Sequence, residues 1–147
     1  RLRVTLTGVT DAYDLVLLDC PPSLDELTRN GLAAADNALI VTEPGFFALQ
    51  GATRALHAVE AARTSLNLRL RPTGILLNRV RGNLSEHRYR MEELRRVYGD
   101  LVLDCIIPER SAVQQAQGAG VPVQAWRSPG ASEVIDAFDD LLDRILD

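Results

Sequence analysis

Apolar residues in this chain fall into two kinds of stretch. Short continuous runs alternate with longer segments in which apolar positions recur every three or four residues. The first run is Leu15-Val16-Leu17-Leu18. It ends at Asp19, and Cys20-Pro21-Pro22-Ser23-Leu24 follows at once. A continuous apolar run reads as a strand buried on both faces, as in a parallel sheet. Pro21 and Pro22 cannot continue a ladder, so the backbone leaves the sheet there and Asp19 stands where the strand emerges. Ser23 suits an N-cap, with Glu26 three residues on, and a helix from Ser23 to Ala35 is predicted.

The remaining runs repeat the alternation. Strands are predicted at Asn37 to Thr42, within Thr73 to Val80, and at Leu101 to Ile107. Helices are predicted at Leu49 to Leu66, Leu84 to Tyr98, Ser111 to Gln117 and Ala131 to Asp147. The long helix presents Leu49, Ala52, Leu56, Val59 and Ala62 on one face. The last presents Val134, Ile135, Phe138, Leu141, Leu142 and Ile145. Arg1 to Thr10 fits a strand or a helix equally. Strand and helix in alternation predict an α/β fold: a doubly wound, mostly parallel sheet with helices on both faces, as a single domain over residues 1–147.

Composition changes this picture little. The length of 147 residues suits one domain, and a hydrophobic content of 46% is that of an ordinary globular protein. No apolar run approaches membrane-spanning length. Cys20 and Cys105 match no metal-ligand spacing, make no disulfide framework, and are expected to be buried or half-buried. The net charge of -4 places any nucleic-acid surface in a local patch. All 16 basic residues are Arg, and the chain begins at Arg1 rather than Met. It is expected to be a piece of something longer.

In an open parallel sheet the strand carboxyl ends share one rim, where ligands bind. Asp19, Asn78, the segment Glu43 to Phe47, and Pro108-Glu109-Arg110 are all expected there. Asp19 suits a Mg²⁺-nucleotide carboxylate; an Asp that caps a turn is the alternative. The Asn78 amide offers a donor beside an acceptor, which suits a purine edge, and suits capping the next turn equally well. Arg69 to Arg96 holds eight arginines against Glu86, Glu92 and Glu93. A solvated helix with Arg88–Glu92 pairing, worth about 0.3–0.5 kcal/mol, accounts for part of that pattern. His57 and His87 have no ligand partner at metal spacing. Trp126 is expected to pack under the last helix, and Phe46 and Phe47 to pack in a core or dimer.

Tyr13-Asp14-Leu15-Val16-Leu17-Leu18-Asp19-Cys20-Pro21-Pro22-Ser23-Leu24 resembles the Walker B and switch II segment of the ParA family, the deviant Walker ATPases that partition plasmids and chromosomes. In order along the chain, Ala35 to Val41, Phe47-Ala48-Leu49-Gln50-Gly51, Gly74-Ile75-Leu76-Leu77-Asn78-Arg79, Ile106 to Arg110 and Gly120-Val121-Pro122-Val123 are similar to later segments of that family. The resemblance implies a P-loop NTPase-like fold and ATP with Mg²⁺ as cofactors. It implies that Asp19 holds Mg²⁺ through water and that Pro21 and Pro22 begin the switch that senses the γ-phosphate. Asn78, Arg79, Pro108, Glu109 and Arg110 would line the nucleotide. It also implies a self-dimer, binding to non-specific DNA through Arg79, Arg81, Arg88 and Arg95, stimulation by a ParB-type partner, and a cytoplasmic, nucleoid-associated protein with no membrane.

The family's phosphate loop and switch I aspartate are missing from these residues, and a lysine-free chain cannot supply the loop's lysines. No catalytic residue is therefore assigned, and the 147 residues alone are expected not to turn over ATP. A basic position of the family falls on Ala112. Two alternatives stand beside this reading. One is a nucleotide-independent scaffold domain that lost its phosphate loop. The other is a MinD-like positioning ATPase, which would need a basic amphipathic last helix; here that helix carries Glu133, Asp136, Asp139, Asp140, Asp143 and Asp147.

Overall fold

A computed structural model, which describes every residue except Pro22, Leu24 and Asp147, makes β2 (Arg71–Val80) the middle strand of a three-stranded parallel sheet ordered β1-β2-β3. The expectations placed on Pro22, Leu24 and Asp147 lie outside the described residues. β1 is Asn37–Thr42 and β3 is Val102–Pro108. The helices are α1 (Leu2–Leu6), α2 (Glu26–Ala34), α3 (Ala48–Ser65), α4 (Ser85–Tyr98), α5 (Ser111–Gly118) and α6 (Ala131–Leu146), with short 3-10 turns at Thr10–Ala12, Gly99–Leu101 and Val123–Ala125. Between them they flank the sheet in an α/β arrangement. Burial explains the middle place of β2: Gly74, Ile75, Leu76 and Leu77 are all buried in succession, so both faces of the strand are covered.

The chain divides into two units. The first comprises Arg1–Ile40 and Thr53–Thr73. Its core joins Ala38, Val59, Ala62 and Leu70, with Leu32 and Ala35 packed against them. Buried Asn67 closes the end of α2: its amide nitrogen donates to the carbonyls of Leu32 (3.2 Å) and Ala35 (2.6 Å), groups a helix terminus leaves unpaired. The second unit comprises Val41–Ala52 and Gly74–Asp147. There α4 and α6 pack on β3, and Val134 and Leu141 are the buried part of the α6 stripe. Phe138 and Leu142, expected beside them, are exposed.

Two expectations need correction. Residues 13–21 carry no strand, and Leu15, Val16 and Leu17 are 37%, 38% and 75% exposed. A fully apolar run needs neighbours on both sides, and none of the described strands pairs with this one. Second, α2 begins at Glu26, so Ser23 is not its cap. Asp25 is: its Oδ1 accepts from the amides of Leu27 (3.1 Å) and Thr28 (3.4 Å), while Ser23 Oγ donates to its Oδ2 (2.8 Å). Arg1 to Thr10 resolves as helix α1 and the following turn, with α1 packed on α2.

The β2–β3 ladder slips twice. From Ile75↔Val102 to Leu77↔Ile106, β3 uses four steps against two of β2; from Leu77↔Ile106 to Val80↔Pro108, β2 uses three against two. Gly74 immediately precedes the first slip, against Leu103, one of the β3 residues inside it. A Cβ there would stand 2.5 Å from Leu103 Cδ2 and 3.0 Å from the Leu101 carbonyl. Gly74→Ala is expected to force buried Leu103 and the backbone apart and to cost about 1–3 kcal/mol, read as a lower urea midpoint.

The Asp25 cap adds a pH dependence. The Ser23 hydroxyl, foremost, and then the amides of Thr28 and Leu27 hold the Asp25 carboxyl below its ordinary pKa, against a desolvation that raises it. A carboxyl lowered in the folded state stabilises fully above its unfolded pKa, and that stability is lost as pH falls through the folded value. Urea unfolding of Asp25→Ala should show a lower midpoint at neutral pH, a flatter acid slope, and convergence with wild type once the carboxyl is protonated.

Candidate functional site

The second slip in the ladder shapes the carboxyl rim of the second unit. One extra residue of β2 is accommodated at Asn78–Arg79, and Arg79 takes a left-handed backbone, φ 54, the one non-glycine positive φ among the described residues. Its amide donates to Asn78 Oδ1 at 2.9 Å. That bond leaves the Asn78 amino group with no partner among the described residues. The Arg79 guanidinium then spans two strand ends, reaching Glu43 Oε1 (3.0 Å) after β1 and Glu109 Oε1 (3.2 Å) after β3. Arg81 Nε makes a close ion pair with the other Glu109 oxygen, and the Glu109 amide donates to the Val80 carbonyl at 3.0 Å. Glu109, with its side chain 21% exposed, therefore accepts from two guanidinium groups.

Arg110 faces elsewhere. Its Nε and Nη2 hold Glu133 bidentately (2.7 and 2.6 Å), its Nη1 donates to the Glu109 carbonyl, and its stem fills space that a side chain at Gly130 would need. Pro108, half-buried, ends β3 immediately before Glu109. The rim thus collects Asn78, Arg79, Arg81, Pro108, Glu109 and Glu43. It offers hydrogen-bond donors and exchangeable charge, which suit holding a polar or anionic ligand.

Half of the basic stretch, Arg79, Arg81, Arg88 and Arg90, is committed to internal partners. Arg81 stands before α4, and its backbone amide donates to His87 Nδ1 at 3.0 Å. Arg88 Nη1 donates to the Gly82 carbonyl (2.9 Å), not to Glu92. The helical ion pairs belong to Arg90, with Glu86 (2.8 Å) and Glu93 (3.0 Å), and the same guanidinium lies 5.1 Å from the Phe46 ring centre and 5.0 Å from that of Tyr89. Phe46 and Phe47 meet edge to face at 5.0 Å and are exposed, so they do not form a core. Arg95, two turns along α4 from Arg88, lines a cleft of about 830 Å³ with Asp104, Cys105, Asp140 and Arg144. That cleft runs beside β3 and α6, and its charges are mixed.

In the first unit, Asp19 is exposed on the irregular segment that precedes α2. The carbonyls that follow it are held by the buried Thr28 hydroxyl, 2.6 Å from that of Ser23 and 3.3 Å from that of Pro21. Cys20 is exposed rather than buried, with its sulfur 2.7 Å from where a Gly31 Cβ would stand. Partial burial, then the Asp19 carboxylate, pushes its thiol pKa up; burial does the same at Cys105. Neither is poised as a thiolate. His57 is exposed, and Trp126 Nε1 donates to Gln115. Among the described residues no group of His, Cys, Asp and Glu side chains forms a metal cage, and no helix is long and apolar enough to cross a membrane. Sequence reasoning placed Glu43 on the rim but not its pairing with Arg79, and it missed the bond of His87 to the Arg81 amide and the stacking of Arg90. Only Glu43, directly after a strand and before Pro44-Gly45, carried a signal that marked it.

Comparison with known proteins supplies the lineage. A family model described as an AAA domain matches residues 1–72. An uncharacterized protein of Mycobacterium tuberculosis is 38% identical over 145 residues, 97% of this chain and 46% of that protein. The chromosome partitioning protein ParA of Caulobacter vibrioides is 39% identical over 127 residues, 84% of this chain and 47% of that protein. Among solved structures, cobyrinic acid a,c-diamide synthase from Mycobacterium smegmatis, with a bound ATP analogue and magnesium, superposes with a TM-score of 0.68 at 25% identity, over 81% of this chain and 54% of that one. The fold is thus P-loop NTPase-like, and the chain spans about half the length of the curated relatives it matches. This chain is a homologue of the ParA family of partition ATPases.

Proposed function

We propose that this chain is the portion of a ParA-like partition ATPase that follows the phosphate loop, and that it supplies the base-contacting rim, a magnesium carboxylate and a DNA-binding surface. What carries the reading is the rim of the second unit: half-buried Asn78 at the slip in β2, its oxygen bound to the Arg79 amide and its amino group without a partner among the described residues, on the same rim as Pro108 and Glu109. The nucleotide and magnesium bound by the related synthase support ATP with Mg²⁺ as the cofactors here. In this reading Asp19 holds Mg²⁺ through water, Pro21 and Pro22 begin the switch that follows it, and Arg79 and Glu109 shape the rim around the base, while Arg110 serves it only by bracing the Glu109 carbonyl. Thr28, by fixing the carbonyls of Pro21 and Ser23, sets where that segment starts. Mg²⁺ would supply charge neutralisation of the phosphates.

The same reading makes the intact protein a nucleotide-dependent self-dimer that binds DNA without sequence preference and answers to a ParB-type partner. Its place is then the cytoplasm, at the nucleoid. Arg79, Arg81, Arg88 and Arg95 are the proposed phosphate contacts. Arg81 and Arg88 are brought together at the loop before α4, since Arg81 is tied to His87 and Arg88 to Gly82. Arg95, further along the helix, is a peripheral contact.

Salt dependence tests the DNA surface. Each lost phosphate contact flattens the log–log salt slope by about 0.9. The doubly substituted full-length protein, Arg81→Ala/Arg88→Ala, is expected to bind non-specific duplex more weakly, with a slope flatter by about 1–2. An unchanged affinity and slope would remove DNA from the proposal and favour the scaffold alternative.

A further inference from the structure

We propose that Glu109, with Glu43, is a built-in competitor for the DNA backbone: the two carboxylates hold Arg79 and Arg81, and DNA binds by displacing them. The inference rests on the DNA reading above and concerns its regulation. The arginine in the second slip, Arg79, and the one just after it, Arg81, already have anionic partners. Arg79 is bridged between Glu43 and Glu109, and Arg81 takes the second oxygen of Glu109. A phosphodiester presents the same kind of paired anionic oxygens that a carboxylate does, so a guanidinium cannot serve both fully. The pairs are half open to solvent on the arginine side, where ion pairs contribute little and exchange readily.

The geometry also restricts what moves. The Arg81 backbone stays fixed by its amide bond to His87, and Arg88 braces the same loop through Gly82. The Arg81 side chain can leave Glu109 without unfolding the loop. Arg79 is different: its left-handed backbone is held by Asn78 Oδ1, and its guanidinium by the two carboxylates. Glu109 follows Pro108 directly, in the segment proposed to meet the nucleotide. A ligand that shifts Glu109 away from the arginines would free them, so nucleotide occupancy and DNA affinity are coupled through one carboxylate.

The test is non-specific duplex binding by the full-length protein, with and without ATP and Mg²⁺, across a salt series. Glu109→Gln keeps the side chain's size and removes its charge; Glu43→Gln does the same at the second position. Asp139→Asn, exposed on α6, makes the same change in net charge away from the rim. Glu109→Gln is expected to bind DNA about tenfold tighter, with a salt slope steeper by about 1–2 and a reduced requirement for ATP. Glu43→Gln should shift in the same direction by less, and Asp139→Asn should stay near wild type. Glu109→Gln and Glu43→Gln both indistinguishable from wild type, or matched by Asp139→Asn, would overturn the competitor role. If that happens while Arg81→Ala/Arg88→Ala still loses DNA, the DNA reading stands and only this inference falls. If the arginine variant binds as wild type does, both fall.

Discussion

The pairing of β2 with β3 is out of step, and the consequences of that mismatch organise the second unit. Where β3 carries the surplus, Gly74 has no side chain and Leu103 fills the space. Where β2 carries it, Arg79 turns left-handed, and the chain emerges from the sheet with Asn78 bent back on its own backbone. A regular ladder would send alternate side chains to opposite faces. The slip instead lets Arg79 reach both neighbouring strand ends. Bulges commonly sit where a sheet must aim a side chain at a ligand, and this one lies at the carboxyl rim of a parallel sheet.

Electrostatics then decides what the rim can hold. Two arginines and two glutamates cancel one another locally, so the resting surface around Arg79 and Arg81 is less basic than the sequence there suggests. Arg90 is cancelled separately by Glu86 and Glu93 and is stacked on Phe46 and Tyr89. A surface built this way does not attract polyanions by its net field alone. Its affinity depends on whether the internal carboxylates stay where they are. For a homologue of the ParA family that property links the proposed nucleotide rim to the proposed DNA surface without a separate relay.

Much of the fold was legible in the sequence because burial and periodicity agree over most of it. Asn37 to Thr42 and the helix closing at Gly99 are read directly from apolar pattern and turn chemistry. The failure at Leu15 to Leu18 is instructive. That run is as apolar as Ile75-Leu76-Leu77, yet only the latter has strands on both sides. Pattern reports what a segment requires of its neighbours and says nothing about whether they are present. The site was legible in part. Asn78, Pro108 and Glu109 were placed by their position at the carboxyl ends of strands, but the roles of Glu43, His87 and Arg90 depend on side-chain contacts across distant segments. Ser23 and Asp25 were confused because both are good caps and only backbone geometry separates them.

In the proposed nucleotide site, Asn78, at the slip in β2, donates to the bound base. ATP affinity of the full-length Asn78→Ala protein, measured in the presence of Mg²⁺, tests it most directly. Loss of one hydrogen bond to the base predicts an affinity lower by about tenfold, roughly 1–1.5 kcal/mol, with the folded state retained. An ATP affinity equal to that of wild type would contradict the account and leave the rim without its nucleotide.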